Sequence, residues 1–331
     1  MNKKAIALIS GGLDSLLAAK VVQDQGVKVQ GVAFLMQFAS KDIQKFKHQI
    51  QEASDEAEVP VKFIDMSEEF LKVLKKPSYG YGANLNPCID CKILMLKLAK
   101  KFMQKENATF IVTGEVLGER PMSQRRGALN IVEKKALLKG LLLRPLSAKL
   151  LEETLPEQQG IVNRAELLAL SGRGRSRQLA MAKKYKLTKF FAPSGGCLLT
   201  DPIFSTKLKD LILRKELKGE NVNLLKYGRH FRVDDKTKVV VGKDQNDNDN
   251  IVKLEKQTDV VVRLKTGPGP HVLLRGQKNA KNIEIAAGLL ISHSKSKNKI
   301  NVEVEVFEGK KIKEIIKASP LDASTVDKLR I

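Results

Sequence analysis

Ser10-Gly11-Gly12-Leu13-Asp14-Ser15 is the stretch that decides the fold. Before it, residues 4–9 read as a short buried strand; after it, residues 14–25 have helical periodicity that ends at Gly26. A strand that passes through two glycines into a helix gathers backbone N–H groups around an anion. Glycine lets the backbone point inward, and the helix N-terminus adds partial positive charge. Ser10 and Ser15 can donate from their hydroxyls. Asp14 would repel phosphate unless it holds Mg²⁺ or caps the helix. A plain Gly-Gly turn with a capping Asp would show the same residues, so the surrounding pattern carries the weight.

Outward from the loop, strands are expected at residues 27–36, 61–65 and 109–114, with helices at 42–57 and 91–107 between them. Alternating strands and helices predict an α/β fold, a doubly wound parallel sheet. Ligands of such sheets lie beyond the carboxyl ends of the strands. The loops at Ser10 and Gly114 therefore belong to one crevice. Residues 130–205 are expected to be mostly helical, with the Arg-rich run Ser171-Gly-Arg-Gly-Arg-Ser-Arg177 inside them; that run can grip phosphate or be a solvated loop. After residue 205 the character changes. A helix at 207–218, strands within 231–241, 260–264, 272–274 and 300–307, and a helix at 283–292 predict a smaller α+β domain over 206–331.

Lys and Arg number 59 against 37 Asp and Glu in 331 residues, an excess of 22 that favours a polyanionic partner such as RNA. Aromatics are 5% with no Trp, so no broad base-stacking face is expected. Three cysteines are too few and too uneven for a disulfide scaffold and fit a reducing cytoplasm. The amino-terminal apolar run is broken at Gly11-Gly12 and Asp14 and lacks a signal-peptide cleavage pattern. No stretch of about 18 apolar residues is present to span a membrane.

Two further clusters carry chemistry. Thr113-Gly114-Glu115-Val116-Leu117-Gly118-Glu119-Arg120-Pro121-Met122-Ser123-Gln124 follows a strand and faces the same crevice, with Gly114 for close approach and Arg120 or Gln124 for phosphate. Asn86-Pro87-Cys88-Ile89-Asp90-Cys91 opens a helix, and Ser194-Gly195-Gly196-Cys197 lies far downstream. A thiol at a helix N-terminus is expected to have a lowered pKa. Three readings are open. Cys197 carries a persulfide that a second cysteine resolves; or Cys88, Cys91 and Cys197 hold a [4Fe–4S] cluster with one iron open; or all three are small buried hydrophobes. Zinc lacks a fourth ligand, since the nearest histidine, His48, reads as a helix-surface residue.

The Ser10 loop resembles the PP-loop signature SGGxDS of ATP pyrophosphatases, among them tRNA thiouridine synthetases and amide synthetases. The resemblance implies cleavage of ATP to AMP and pyrophosphate through an adenylated substrate oxygen. No Walker-type GxxxxGK loop is present. The 113–124 segment resembles the TGExxGxxxSQ segment of the 4-thiouridine synthetase family, which implies that Gly114, Glu115, Arg120 and Gln124 join Ser10, Gly11, Gly12, Asp14 and Ser15 at the nucleotide. The cysteine spacing resembles that of Cys-rich thiolating relatives, and the Arg run an SGRSR-like segment. Residues 225–315, through Val239-Val-Val-Gly-Lys243, Pro270-His271-Val-Leu-Leu-Arg275 and Ala286-Ala287, resemble the RNA-binding domain of NFACT-type proteins, departing at Lys243 and Val261. The residues themselves suggest a cationic face there, comprising Arg229, His230, Arg232, Lys243, Arg263, Lys265, His271, Arg275 and Lys278, that reads RNA by shape and is salt-sensitive; a dimerisation module with basic loops is the other reading. Together these imply a cytoplasmic tRNA sulfurtransferase that uses ATP, Mg²⁺ and a persulfide carrier or sulfide. A PP-loop ligase acting on a small metabolite, or a non-catalytic RNA-binding factor, is the alternative.

Overall fold

The computed structural model describes residues 3–192, 197–309 and 311–331, and the chain divides into two compact units, Met1–Asp201 and Pro202–Ile331. In the first, β1 (Lys4–Leu8), α1 (Leu13–Gln23), β2 (Lys28–Leu35), α2 (Ile43–Glu56), β3 (Val61–Asp65), α3 (Ser67–Lys75), α4 (Cys88–Lys105), β4 (Phe110–Val112), α5 (Arg126–Lys135), β5 (Leu142–Leu143), α6 (Leu155–Gln158) and α7 (Ser176–Lys184) follow in order. The five strands form a parallel sheet in the order β3-β2-β1-β4-β5.

Strand alternation feeds two cores. Ala5, Ala7, Val29 and Val112 meet α1, α2 and α7 on one face, while Ile6, Val32 and Ile111 meet α4 and α5 on the other. Helix α4 presents a stripe of Ile93, Leu96, Ala99 and Met103, the three-to-four spacing of a core-facing helix. Each such aliphatic side chain contributes about 1.5–3 kcal/mol when fully buried. The order reverses between β1 and β4, so a crevice opens beyond Leu8 and Val112, where the two expected loops begin.

The region after β5 is less helical than its Leu-rich composition suggests. Between Leu143 and Ser176 it holds only α6 and two 3₁₀ turns, Ala148–Leu150 and Arg164–Glu166. Proline at 145 and 156 and the left-handed Gly160 and Gly172 break the periodicity.

The second unit comprises α8 (Pro202–Leu213), α9 (Gly219–Leu224), β6 (Arg229–Asp234), β7 (Thr237–Val241), α10 (Gln245–Lys253), β8 (Val260–Leu264), β9 (Val272–Arg275), α11 (Ala280–Ser292), β10 (Val302–Glu308), β11 (Lys311–Ala318) and α12 (Ala323–Leu329). Its six strands run antiparallel in the order β11-β10-β8-β9-β7-β6. Helix α11 covers one face through Ile283, Ala286, Ala287 and Leu290; Leu224 of α9 and Ile251 of α10 cover part of the other. Among the described residues no helix is long and apolar enough to cross a membrane.

Candidate active site

The glycine loop is built as the sequence requires. Gly11 is left-handed at φ 78°, and a Cβ there would lie 2.4 Å from the Phe191 ring, so only glycine fits. Phe191 N–H donates to Gly11 O at 2.9 Å and anchors the loop from behind. Ser15 Oγ donates to Gly12 O at 2.7 Å and accepts from Ser10 N–H at 3.2 Å. Gly12 is the N-cap of α1 and supplies no side-chain cap, and Asp14 stands two residues inside the helix. Asp14 Oδ1 is buried without a hydrogen-bond partner. Burial pushes the Asp14 carboxyl above its ordinary range, against the lowering effects of Arg175, Gln178 and Arg120.

Gly114 brings the second loop against the first. A Cβ on it would stand 2.4 Å from Asp14 C and O and 2.5 Å from Ser15 N. Beyond it, the loop folds on itself: Gly118 N–H donates to Gln124 O at 2.8 Å, and Arg120 N–H to Gln124 Oε1 at 3.0 Å. Gln124, buried in these contacts, shapes the loop, and Arg120 is exposed beside the site. Glu115 is turned inward, where Lys92 Nζ reaches it at 2.6 Å and Arg144 Nε at 3.0 Å. Burial alone would raise the Glu115 carboxyl; Lys92 and Arg144 outweigh it and hold it at about 2. Glu115 is thus a strut between α4 and the β4 loop.

The Arg run joins the site. Leu117 bridges Ser171, and Gly172 N–H donates to Leu117 O at 2.8 Å. This docking brings Arg175 and Gln178 to Asp14, where both lower its pKa. Arg175 Nε is buried and unpartnered, and Glu119 is pushed up by burial and by the Asp14 charge. Arg175, Gln178 and Glu119 were not singled out as site residues; the Arg-rich segment was the available signal, but its docking depends on a long-range bridge.

The three cysteines converge. Helix α4 starts at Cys88, three residues earlier than the periodicity indicates, because Pro87 can hold the N-cap. Asp90, buried, accepts from the N–H groups of Ser78 at 2.9 Å and Tyr79 at 3.0 Å and fixes that turn. Cys197 is drawn in by Leu198 N–H donating to Phe38 O at 2.9 Å and Asn84 Nδ2 donating to Thr200 O at 2.8 Å. Residues 194–196 of that motif lie outside the described residues. The thiols are close enough that Cys88 and Cys197 raise Cys91, and Cys88 raises Cys197. The expected lowering at a helix N-terminus does not hold: desolvation dominates and pushes all three thiols up, although Lys92 and Arg120 oppose it at Cys88. Among the described residues no group of three or more His, Cys, Asp and Glu side chains is placed to hold a metal ion. The three thiols thus influence one another without forming a metal-binding arrangement, and the charges of Lys92 and Arg120 act on Cys88.

Arg120 links the two halves of this site. Its charge acts on Asp14 in the glycine loop and on Cys88 and Cys197. A cavity of about 580 Å³ elsewhere in the unit, lined by Arg126, Glu133, Lys139, Thr154 and Glu157, includes no residue of the glycine loop and no cysteine.

A parallel 3-2-1-4-5 sheet with an SGGLDS loop at its switch point defines the PP-loop fold. Residues 1–154 match the family model of the thiamine biosynthesis protein (ThiI), and residues 228–330 that of the NFACT protein RNA binding domain. The probable tRNA sulfurtransferase of Thermococcus kodakarensis is 32% identical over 119 residues, 35% of this chain and 30% of the relative. The tRNA-specific 2-thiouridylase MnmA of Sulfurimonas denitrificans is 28% identical over 121 residues, 35% of this chain and 36% of the relative. The chain thus spans about a third of the length of these relatives. Among solved structures, the U34-tRNA thiolase NcsA from Methanococcus maripaludis with its [4Fe-4S] cluster is 16% identical, over 68% of this chain and 70% of that one, with a TM-score of 0.36.

Proposed function

We propose that the protein is an ATP-dependent tRNA sulfurtransferase, acting in the cytoplasm. The observation that carries this reading is the SGGLDS loop at the switch point of the parallel sheet, with Arg120 near enough for its charge to bear on Asp14 and on Cys88 and Cys197. The backbone around Gly11 and Gly12, with Ser10 and Ser15, would cradle the ATP phosphates. Asp14, with an orphaned buried oxygen, is the residue to hold Mg²⁺, which would neutralise charge on the leaving pyrophosphate. The carbonyl oxygen of a uridine attacks the α-phosphorus, a P–O bond forms, and the bond to pyrophosphate breaks. The oxygen, now part of a phosphate ester, becomes a good leaving group. A sulfur nucleophile adds to the ring carbon, and AMP departs with the former carbonyl oxygen.

Cys88, Cys91 and Cys197 handle the sulfur. They would hold a [4Fe–4S] cluster through three thiolates, and such a cluster supplies an iron able to take sulfide. The described residues are not placed to hold a metal ion as they stand, and a second route needs none. There the terminal sulfur of a Cys197 persulfide attacks the ring, and Cys88 or Cys91 then attacks Cys197 Sγ; a disulfide remains and the thiocarbonyl is released. The NFACT-type unit and the Arg run supply tRNA affinity. Iron and sulfide analysis after anaerobic purification separates the routes. Stoichiometric iron lost in Cys88→Ala supports the cluster. An iron-free protein that forms a Cys197 disulfide during turnover supports the persulfide.

A further inference from the structure

A second charge cluster lies wholly within the C-terminal unit. Phe231 and Val239 face α11, so strand alternation sends His230, Arg232 and Lys238 to the opposite face. The registers Arg232↔Lys238 and Lys238↔Arg275 line three cations in one cross-strand row over β6, β7 and β9. Like charges opposite one another repel. Asp210 and Glu216 answer Arg232 at 3.0 and 2.9 Å, and Asp259 answers Arg275 at 2.9 Å. Lys238, in the middle, is not answered to the same degree. Its Nζ lies 3.5 Å from Asp210 Oδ2, a carboxylate already engaged by Arg232, and makes no hydrogen bond, although its side chain is only 7% exposed.

His230, beside it, is 1% exposed. Its Nε2 lies 2.8 Å from Tyr227 O and donates there, which leaves Nδ1 as a buried acceptor without a partner. Both residues line a cavity of about 270 Å³. Lys215, Lys218 and Lys236 stand on its rim, exposed and without an ion-pair partner among the described residues. Burial pushes the Lys238 ammonium down to about 8 and keeps His230 neutral. The cavity therefore offers an unmet cationic donor, an unmet neutral acceptor and a mouth where free lysines outnumber carboxylates, since Glu216 and Glu220 are engaged by Arg232 and Lys256. A multiply charged oxyanion that also carries a hydroxyl complements all three; a metal ion complements none of the cations.

We propose that this cavity binds a phosphate monoester of a ribonucleotide, with Lys238 donating to a phosphate oxygen and His230 Nδ1 accepting from a hydroxyl of the ligand. The monoester is the end of an RNA chain or a free mononucleotide, and both present the same group. The site stands on the C-terminal unit alone, so its failure would leave the sulfur chemistry untouched, and the reverse also holds.

The test uses the full-length protein and short fluorescent RNAs bearing a 5′-phosphate, a 3′-phosphate or hydroxyls at both ends, with AMP and inorganic phosphate as competitors. One terminal phosphate is expected to tighten binding on the order of tenfold over hydroxyl ends, the scale of a charge-assisted hydrogen bond. Lys238→Met, which replaces a buried cation by an apolar chain of similar length, should abolish that difference and keep the melting temperature; Lys238→Arg should restore part of it. Lys215→Ala with Lys218→Ala, on the exposed rim, should weaken the phosphorylated RNA selectively. With only four histidines in the chain, the His230 ring nitrogens can be followed by NMR, and Nδ1 should shift on ligand addition. Indifference to the RNA end, with AMP shifting Nδ1 in the wild type and not in Lys238→Met, identifies a free nucleotide as the source. Equal affinity for all ends, together with no response of Nδ1 to AMP or phosphate, overturns the proposal.

Discussion

Gly114→Ala probes the contact that joins the two halves of the nucleotide site. The added methyl would sit 2.4 Å from Asp14 C and O, about 1 Å inside the 3.4 Å at which contacts become ordinary. Both are backbone atoms in the first turn of α1, so no side chain can rotate away. Either the β4 loop or the start of α1 must shift by about that amount. Overpacking of this kind costs about 1–3 kcal/mol, a change of roughly 5- to 150-fold in the folding constant, and a 1 Å misplacement of reacting groups costs on the order of 100-fold in rate. Urea denaturation reads the first effect, and tRNA-dependent pyrophosphate release the second. Gly127→Ala is the internal control. It lies in α5 with nothing within 4 Å of its Cβ position and should stabilise by up to about 1 kcal/mol. If Gly114→Ala denatures at the wild-type midpoint and retains the wild-type rate, the two loops do not meet as described.

Asp14→Asn should cut pyrophosphate release at least about 100-fold while the melting temperature holds or rises, because a carboxyl pushed up by burial destabilises the fold when ionised at neutral pH; a normal rate at ordinary Mg²⁺ would remove Asp14 from the metal's path. Glu115→Gln should cost about 3 kcal/mol, measured by denaturation, by leaving Lys92 without its carboxylate and Arg144 with Glu133 alone. In the wild type, that contribution is present above pH 4.5 and lost as pH falls toward 2, since the folded Glu115 pKa lies below the unfolded one. Arg173→Ala and Arg177→Ala, both exposed, should each weaken tRNA binding and flatten its log–log salt dependence by about 0.7–0.9, with ATP affinity unchanged. An unaltered slope would make the run a solvated loop.

The glycine loop and the sheet were legible because both rest on local pattern: buried strands, two glycines whose backbone positions admit no side chain, and helices with a clear apolar stripe. Elements that depend on partners were not. Lys311–Ala318 alternates charge and Ile in a way that also suits a helix, and it becomes a strand only by pairing with β10 at the sheet edge, where lysines discourage further pairing. Helix α3 is short, and its stripe of Phe70, Leu71 and Leu74 spans too few turns to show a clear period. In the site, the SGGLDS and TGE loops were readable from motif and topology, and the three cysteines as a candidate set. The thiol pKa was not, because burial is a tertiary quantity that overrides the helix end. The expected cationic face of the C-terminal unit also changes character. His230 and His271 are buried and neutral, Arg232 and Arg275 are held by internal carboxylates, and Lys265 pairs with Glu303. Sequence counts cations but does not show which have already found a partner.

The central claim is that one site couples ATP cleavage to sulfur transfer onto a uridine, and the most direct measurement follows both products in one reaction. Anaerobic protein, ATP, Mg²⁺, tRNA from a strain lacking the gene and either a persulfide donor with a thiol reductant or, for the cluster route, sulfide should give pyrophosphate and thiouridine in equal amounts; Cys197→Ala should lose the thiouridine, and omission of tRNA both products. Pyrophosphate release that needs ammonia or a small metabolite and ignores both tRNA and Cys197, with thionucleosides unchanged in the deletion strain, would contradict the account.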